Sequence, residues 1–79
     1  MWKDKSGKLY RKYEFKTFVE AFSFITAVAL LVEKADHHPT WTNTYNKVEI
    51  LLSTHDEGDV ITEKDTKLSK QIDELKFYV

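Results

Sequence analysis

The chain has 79 residues, enough for one domain and a modest core, and a domain this small often gains stability by self-association. Its 12 basic and 13 acidic residues leave no basic excess, which argues against a nucleic-acid partner or a membrane surface. It has no cysteine, so disulfides, thiolate nucleophiles and thiolate metal ligands are excluded.

Met1 to Lys5 lacks the apolar stretch of a signal peptide, and the longest apolar run, Ala27 to Val32, falls far short of the ~20 residues that span a bilayer. A soluble cytoplasmic protein is expected. Trp2 to Lys5 reads as a short extended piece, and Ser6-Gly7 as a turn. From Leu9 to Phe15 the chain alternates, with Leu9, Arg11, Tyr13 and Phe15 on one face, which predicts a strand paired with the first segment. The period then changes. Thr17-Phe18-Val19-Glu20 fits a capping box, and a helix is expected to about Glu33 or Lys34. Phe18, Phe22, Ile25, Ala29 and Val32 are read as its main buried stripe. Phe24, Val28 and Leu31 widen that stripe, which suggests a contact with a second subunit.

Pro39 disfavours a helical conformation at His38, so residues 36 to 39 are expected to be loop or extended. Trp41 to Tyr45 can form a short strand, with both aromatics read as core or support. Val48, Ile50 and Leu52 alternate with their neighbours in another strand. Thr54 to Ile61 is a polar loop containing Gly58, and Thr62-Glu63-Lys64-Asp65 caps a last helix striped by Leu68, Ile72, Leu75 and Val79. The order ββαββα predicts an α+β domain over residues 1–79, with a four-stranded antiparallel sheet and both helices on one face.

All three histidines fall in loops or at strand ends, outside the apolar stripes. Imidazole exchanges protons near neutrality, so His37, His38 and His55 are candidate acids and bases. Each taken alone is more often an ordinary loop histidine. Zinc ligation with Asp36 or Asp56 is the rival chemistry, but adjacent histidines seldom share one tetrahedral ion and no i, i+4 pair is present.

The longer pattern is more specific. Glu33-Lys34-Ala35-Asp36-His37-His38-Pro39, Trp41 to Val48, and Leu52-Ser53-Thr54-His55-Asp56 resemble the signature of the pterin-4a-carbinolamine dehydratases. Leu9-x-Arg11-x-Tyr13-x-Phe15-Lys16 and Phe18-x-x-Ala21-Phe22-x-Phe24 are also similar to that family, so the resemblance runs from Trp2 almost to the C-terminus. It implies a hydro-lyase that converts 4a-hydroxytetrahydropterin to quinonoid dihydropterin and water, recycling the cofactor of aromatic amino acid hydroxylases. Such an elimination needs no metal, redox cofactor or covalent nucleophile. By position, His37 and His38 would be acids near the hydroxyl and His55 the partner that takes the N5 proton. Asp36, Ser53, Thr54, Asp56 and Trp2 match positions that contact the pterin or frame its pocket, Glu33 is a candidate to orient a histidine or to pair with the substrate's amino-pyrimidine edge, and Asp65 is accounted for as a helix-capping carboxylate. The family also implies a homo-oligomer, dimer or tetramer. Its animal members bind a transcription factor, which makes a protein-interaction module using the helix surface the alternative reading. The sequence departs from the family in two ways: many members have a helix before the position of Trp2, and the loop from His55 to Asp65 is one residue longer than in animal proteins.

Overall fold

A computed structural model describes residues 1–75 and has the element order expected from the sequence. Strands β1 (Lys3–Lys5) and β2 (Lys8–Glu14) are followed by helix α1 (Phe18–Ala35). Strands β3 (Thr40–Thr44) and β4 (Lys47–Leu52) come next, then one 3-10 turn at His55–Glu57 and helix α2 (Glu63–Asp73). The sheet is antiparallel with spatial order β1-β2-β4-β3, so β1 and β3 form its edges. The expected Val79 position of the last stripe lies outside the described residues.

Alternation decides which side of the sheet is covered. Val48, Ile50 and Leu52 of β4 are fully buried against the helices, and Leu9 and Tyr13 of β2 pack on the same cluster. The opposite face is polar apart from Leu51. There Tyr10 donates a 2.5 Å hydrogen bond to Glu49, and Lys5 lies over the Tyr10 ring.

Helix α1 opens on the expected capping box: Thr17 Oγ1 accepts from the Glu20 N–H, and the Glu20 carboxylate accepts from the Thr17 N–H. Its buried face differs from the expected one. Ala21, Phe24, Ile25, Val28 and Val32 are buried, whereas Phe18 and Phe22 are about half exposed and meet in a tilted ring contact, centroids 5.8 Å apart. The helix is apolar around most of its circumference, so period alone did not fix which stripe faces inward. The small Ala21 suits close approach to the sheet and Phe18 does not. Phe24 and Val28, expected at a subunit contact, are therefore core residues. The exposed apolar positions run instead along Val19, Phe22 and Leu30.

Two further expectations are corrected. Trp41 lies on an edge strand and is 36% exposed, and Tyr45 is 65% exposed, so neither belongs to the core. Tyr45 occupies the two-residue turn between β3 and β4 with φ 53°, a left-handed conformation unfavourable for a bulky side chain. The Asn43 amide braces that turn by donating to the carbonyls of Tyr45 and Lys47. Among the described residues no helix is long and apolar enough to cross a membrane.

Candidate active site

The strand register brings the two histidine-bearing loops together. Thr40 pairs with Leu51 across β3 and β4, so the segment entering β3 and the segment leaving β4 lie at the same end of the sheet. His37 and His38 precede that end of β3, and Ser53, Thr54 and His55 follow that end of β4. A left-handed Asp36 (φ 52°) ends α1 as its C-cap and turns the chain toward β3, while the His37 N–H donates to the Val32 carbonyl.

Asp65 locks the two loops to each other. It is completely buried in the first turn of α2. One carboxylate oxygen lies 2.6 Å from His37 Nε2. The other accepts from the Thr54 hydroxyl at 2.8 Å and the Thr62 N–H at 2.9 Å. Burial works to raise the Asp65 pKa, but these three donors, His37 foremost, outweigh it and hold the carboxyl below its ordinary range. The sequence marked Asp65 as a helix cap, and it is one. Its second task, clamping His37, had no local signal, because the pair is separated by 28 positions.

The same arrangement recurs at the other two histidines. His38 Nε2 lies 2.9 Å from a Glu33 carboxylate oxygen, on an exposed part of the surface. His55 Nδ1 lies 3.0 Å from an Asp59 oxygen. The Asp59 hydrogen bond is the main cause of a raised His55 pKa. Each histidine thus gives one ring nitrogen to its own carboxylate, and among the described residues the other nitrogen has no protein hydrogen bond. A carboxylate at one nitrogen fixes the tautomer and aims the ring, which leaves the other nitrogen available for proton transfer. The partners are three different residues, and among the described residues no group of three histidine or acidic side chains is placed to hold a metal ion.

The remaining expected site residues divide into three groups. Asp36 is exposed and lines a cavity of about 390 Å³ that also reaches His37. Ser53 is half-buried beside Thr54, and Asp56 is exposed in the 3-10 turn. Thr54 is a supporting residue here. It is buried, its hydroxyl contacts Asp65 and Thr62, its N–H donates to Val60, and its carbonyl accepts from Glu57 and Asp59. Trp2 is not brought to the histidines. Its indole N–H donates to Asp73 at the far end of α2, where Arg11 and Tyr13 also bind that carboxylate. These three contacts tie the β-hairpin to α2, and burial, then the Asp73 hydrogen bond, raises the Tyr13 pKa.

Comparison with known proteins places this geometry among relatives. Residues 1–75 match the family model described as pterin 4 alpha carbinolamine dehydratase. A Prochlorococcus marinus protein provisionally given that enzyme name is 49% identical over 76 residues, covering 96% of this chain and 78% of its own. A Rhizobium meliloti protein with the same provisional name is 48% identical over 71 residues, covering 90% of this chain and 67% of its own. Among solved structures, one described as a transcriptional coactivator/pterin dehydratase from Brucella melitensis superposes with a TM-score of 0.84 at 40% identity, covering 91% of this chain and 78% of that one. A pterin dehydratase-like protein described as a RuBisCO assembly factor of the alpha-carboxysome has a TM-score of 0.73 at 22% identity, covering 92% of this chain and 83% of that one; this likeness speaks to the fold alone.

Proposed function

On the premise that this chain belongs to the pterin 4 alpha carbinolamine dehydratase family, we propose that it dehydrates a 4a-hydroxytetrahydropterin by histidine acid–base catalysis. The observation that carries this reading is the triple pairing of histidine with carboxylate at one end of the sheet, with His37 tied through buried Asp65 to the residue before His55. In the reaction the C4a hydroxyl takes a proton and leaves as water while N5 gives up its proton, yielding quinonoid dihydropterin. His37 and His38, held by Asp65 and Glu33, are suited to deliver the proton to the hydroxyl. His55, held by Asp59, takes the proton from N5. Acid–base assistance of this kind is worth about 10²–10⁴-fold per group. Ser53, Asp36 and Asp56 lie next to or near these histidines in the chain and are the candidate pterin contacts.

The test is to generate the 4a-carbinolamine chemically and follow quinonoid dihydropterin by ultraviolet absorbance. Acceleration over the spontaneous reaction is expected, with His37→Ala and His55→Ala each losing roughly a hundredfold or more. No acceleration by folded protein sinks the reading, and unchanged rates in both variants refute the assigned roles.

We also place a self-contact on the outer stripe of α1. Val19 and Leu30 are each 71% exposed and Phe22 is 55% exposed, an apolar row that a second copy would cover. This stripe is also the surface that would serve the alternative reading of a protein-interaction module.

A further inference from the structure

The cavity beside His37 carries a charge that dehydration itself does not require. It lies between the last turn of α1 and the first two turns of α2. Leu31, Ala35 and Leu68 contribute apolar residues to its lining, and Lys34, Lys64 and Lys67 also line it, which puts three ammonium groups within side-chain reach of it. Helical spacing explains the convergence: 64, 67 and 68 share one face of α2, and 31, 34 and 35 share one face of α1. Three of the chain's 12 basic residues thus line one cavity, against a single acidic residue, Asp36, of the 13 available. None of these lysines makes an ion pair among the described residues, so their charge is not neutralised within the fold. The volume, about 390 Å³, lies within the usual range for small-molecule sites, ~300–1,000 Å³. His37 belongs to the lining, whereas His38 and His55 do not, so the cavity meets the histidine cluster at one side only.

We propose that this cavity receives the side chain of the pterin substrate and that this side chain is anionic, a phosphate ester or a carboxylate. The inference rests on the dehydratase reading and deepens it by naming the substrate class. The bicyclic ring lies at the histidines, the tail extends from His37 over Leu31 and Leu68, and the negative group meets Lys34, Lys64 and Lys67. Selectivity arises on binding, with the proton transfers left as they are for a neutral tail.

The experiment compares matched substrates on the full chain: the 4a-hydroxy forms of 6-hydroxymethyltetrahydropterin, of its phosphate ester, and of a tetrahydropterin bearing a benzoylglutamate tail. The ratio of kcat/KM for at least one anionic substrate over the neutral one is expected to be roughly tenfold at low ionic strength, falling toward one as salt screens exposed ammonium groups. K64Q/K67Q should bring the ratio toward one, while K12Q, on the opposite face of the sheet, should leave it unchanged. A ratio near one for both anionic substrates overturns the proposal and leaves the dehydratase reading standing. Should no substrate be dehydrated faster than in buffer, the dehydratase reading fails, and fluorescence titration with the stable oxidised pterins decides the cavity separately. Preferential, salt-sensitive binding of the anionic pterin supports it, and equal affinity for both overturns it. The salt titration of the unaltered protein keeps the test decisive even if the double variant folds poorly.

Discussion

Replacing Asp65 with Asn tests the joint between fold and site with almost no change of shape. In the folded chain this carboxylate faces three donors, the Thr54 hydroxyl, the Thr62 N–H and His37 Nε2–H. Hydrogen bonds to a charged group contribute about 1.5–3 kcal/mol each, against about 1 kcal/mol for neutral pairs. An asparagine oxygen can keep the Thr54 and Thr62 contacts as neutral bonds, each losing about 1 kcal/mol. Its NH2 must then face His37, whose Nε2 can only accept, so the ring proton moves to Nδ1. Relief from burying a charge offsets part of the loss, leaving about 2 kcal/mol. For a domain of this size that lowers Tm by roughly 8–16 °C, read by circular dichroism. Well below the new Tm the dehydration rate should fall about a hundredfold, because His37 is held in the reversed tautomer. A Tm within 2 °C of the parent (against the ~8–16 °C expected) together with an undiminished rate would refute the assignment of Asp65 as both cap and clamp.

Four other outcomes follow from the same geometry. Asp65 has a depressed folded pKa, so its contribution is complete above the unfolded carboxylate value, about 3.9, and is lost as pH falls through the lower folded value; acid unfolding should begin at higher pH in Asp65→Asn than in the parent. Asp59 raises the His55 pKa, and a base must be neutral to accept a proton, so Asp59→Asn should move the acidic limb of the pH–rate profile to lower pH; an unmoved limb removes His55 from that role. Tyr45→Gly relieves a left-handed backbone that costs roughly 1–2 kcal/mol for an L-residue, partly offset by about 1 kcal/mol of unfolded-state entropy, so urea melts should show a neutral to slightly stabilised protein and never a loss above about 1 kcal/mol. Leu30→Glu on the outer stripe of α1 should shift sedimentation toward the monomer with little change in Tm, and an unaltered sedimentation coefficient from an associated parent excludes that stripe as the contact.

Much of this was legible in the sequence because the signals are local. The capping boxes at Thr17-Glu20 and Thr62-Asp65 are short-range hydrogen-bond patterns, and both form. The alternation of Val48, Ile50 and Leu52 needs only the two-residue pleat to choose a face, and that face is buried. The phase of α1 was not legible, because Phe18, Phe22, Phe24 and Val28 are all apolar and only docking on the sheet ranks them. The clamp of Asp65 on His37 joins residues 28 positions apart, and the use of Asp73 by Trp2, Arg11 and Tyr13 spans 60 to 71 positions. Carboxylates so placed look in sequence like ordinary charged helix positions. The histidine motif marked where chemistry could occur, Glu33 was already readable as a histidine partner, and the fold supplied the partners of His37 and His55.

The two sheet edges are unequal, and the inequality bears on how far growth by strand addition could proceed. Strand β1 is three residues long and reads Lys3-Asp4-Lys5, a charged stub that repels a copy of itself and offers few backbone groups. Strand β3 is Thr40-Trp41-Thr42-Asn43-Thr44, uncharged throughout and with its outer backbone edge open. A two-fold pairing through β3 consumes the open edge of both copies at once and leaves lysine-bearing stubs at either end. Growth of the sheet by such a pairing would stop at two copies, because the edges left over are the charged β1 stubs.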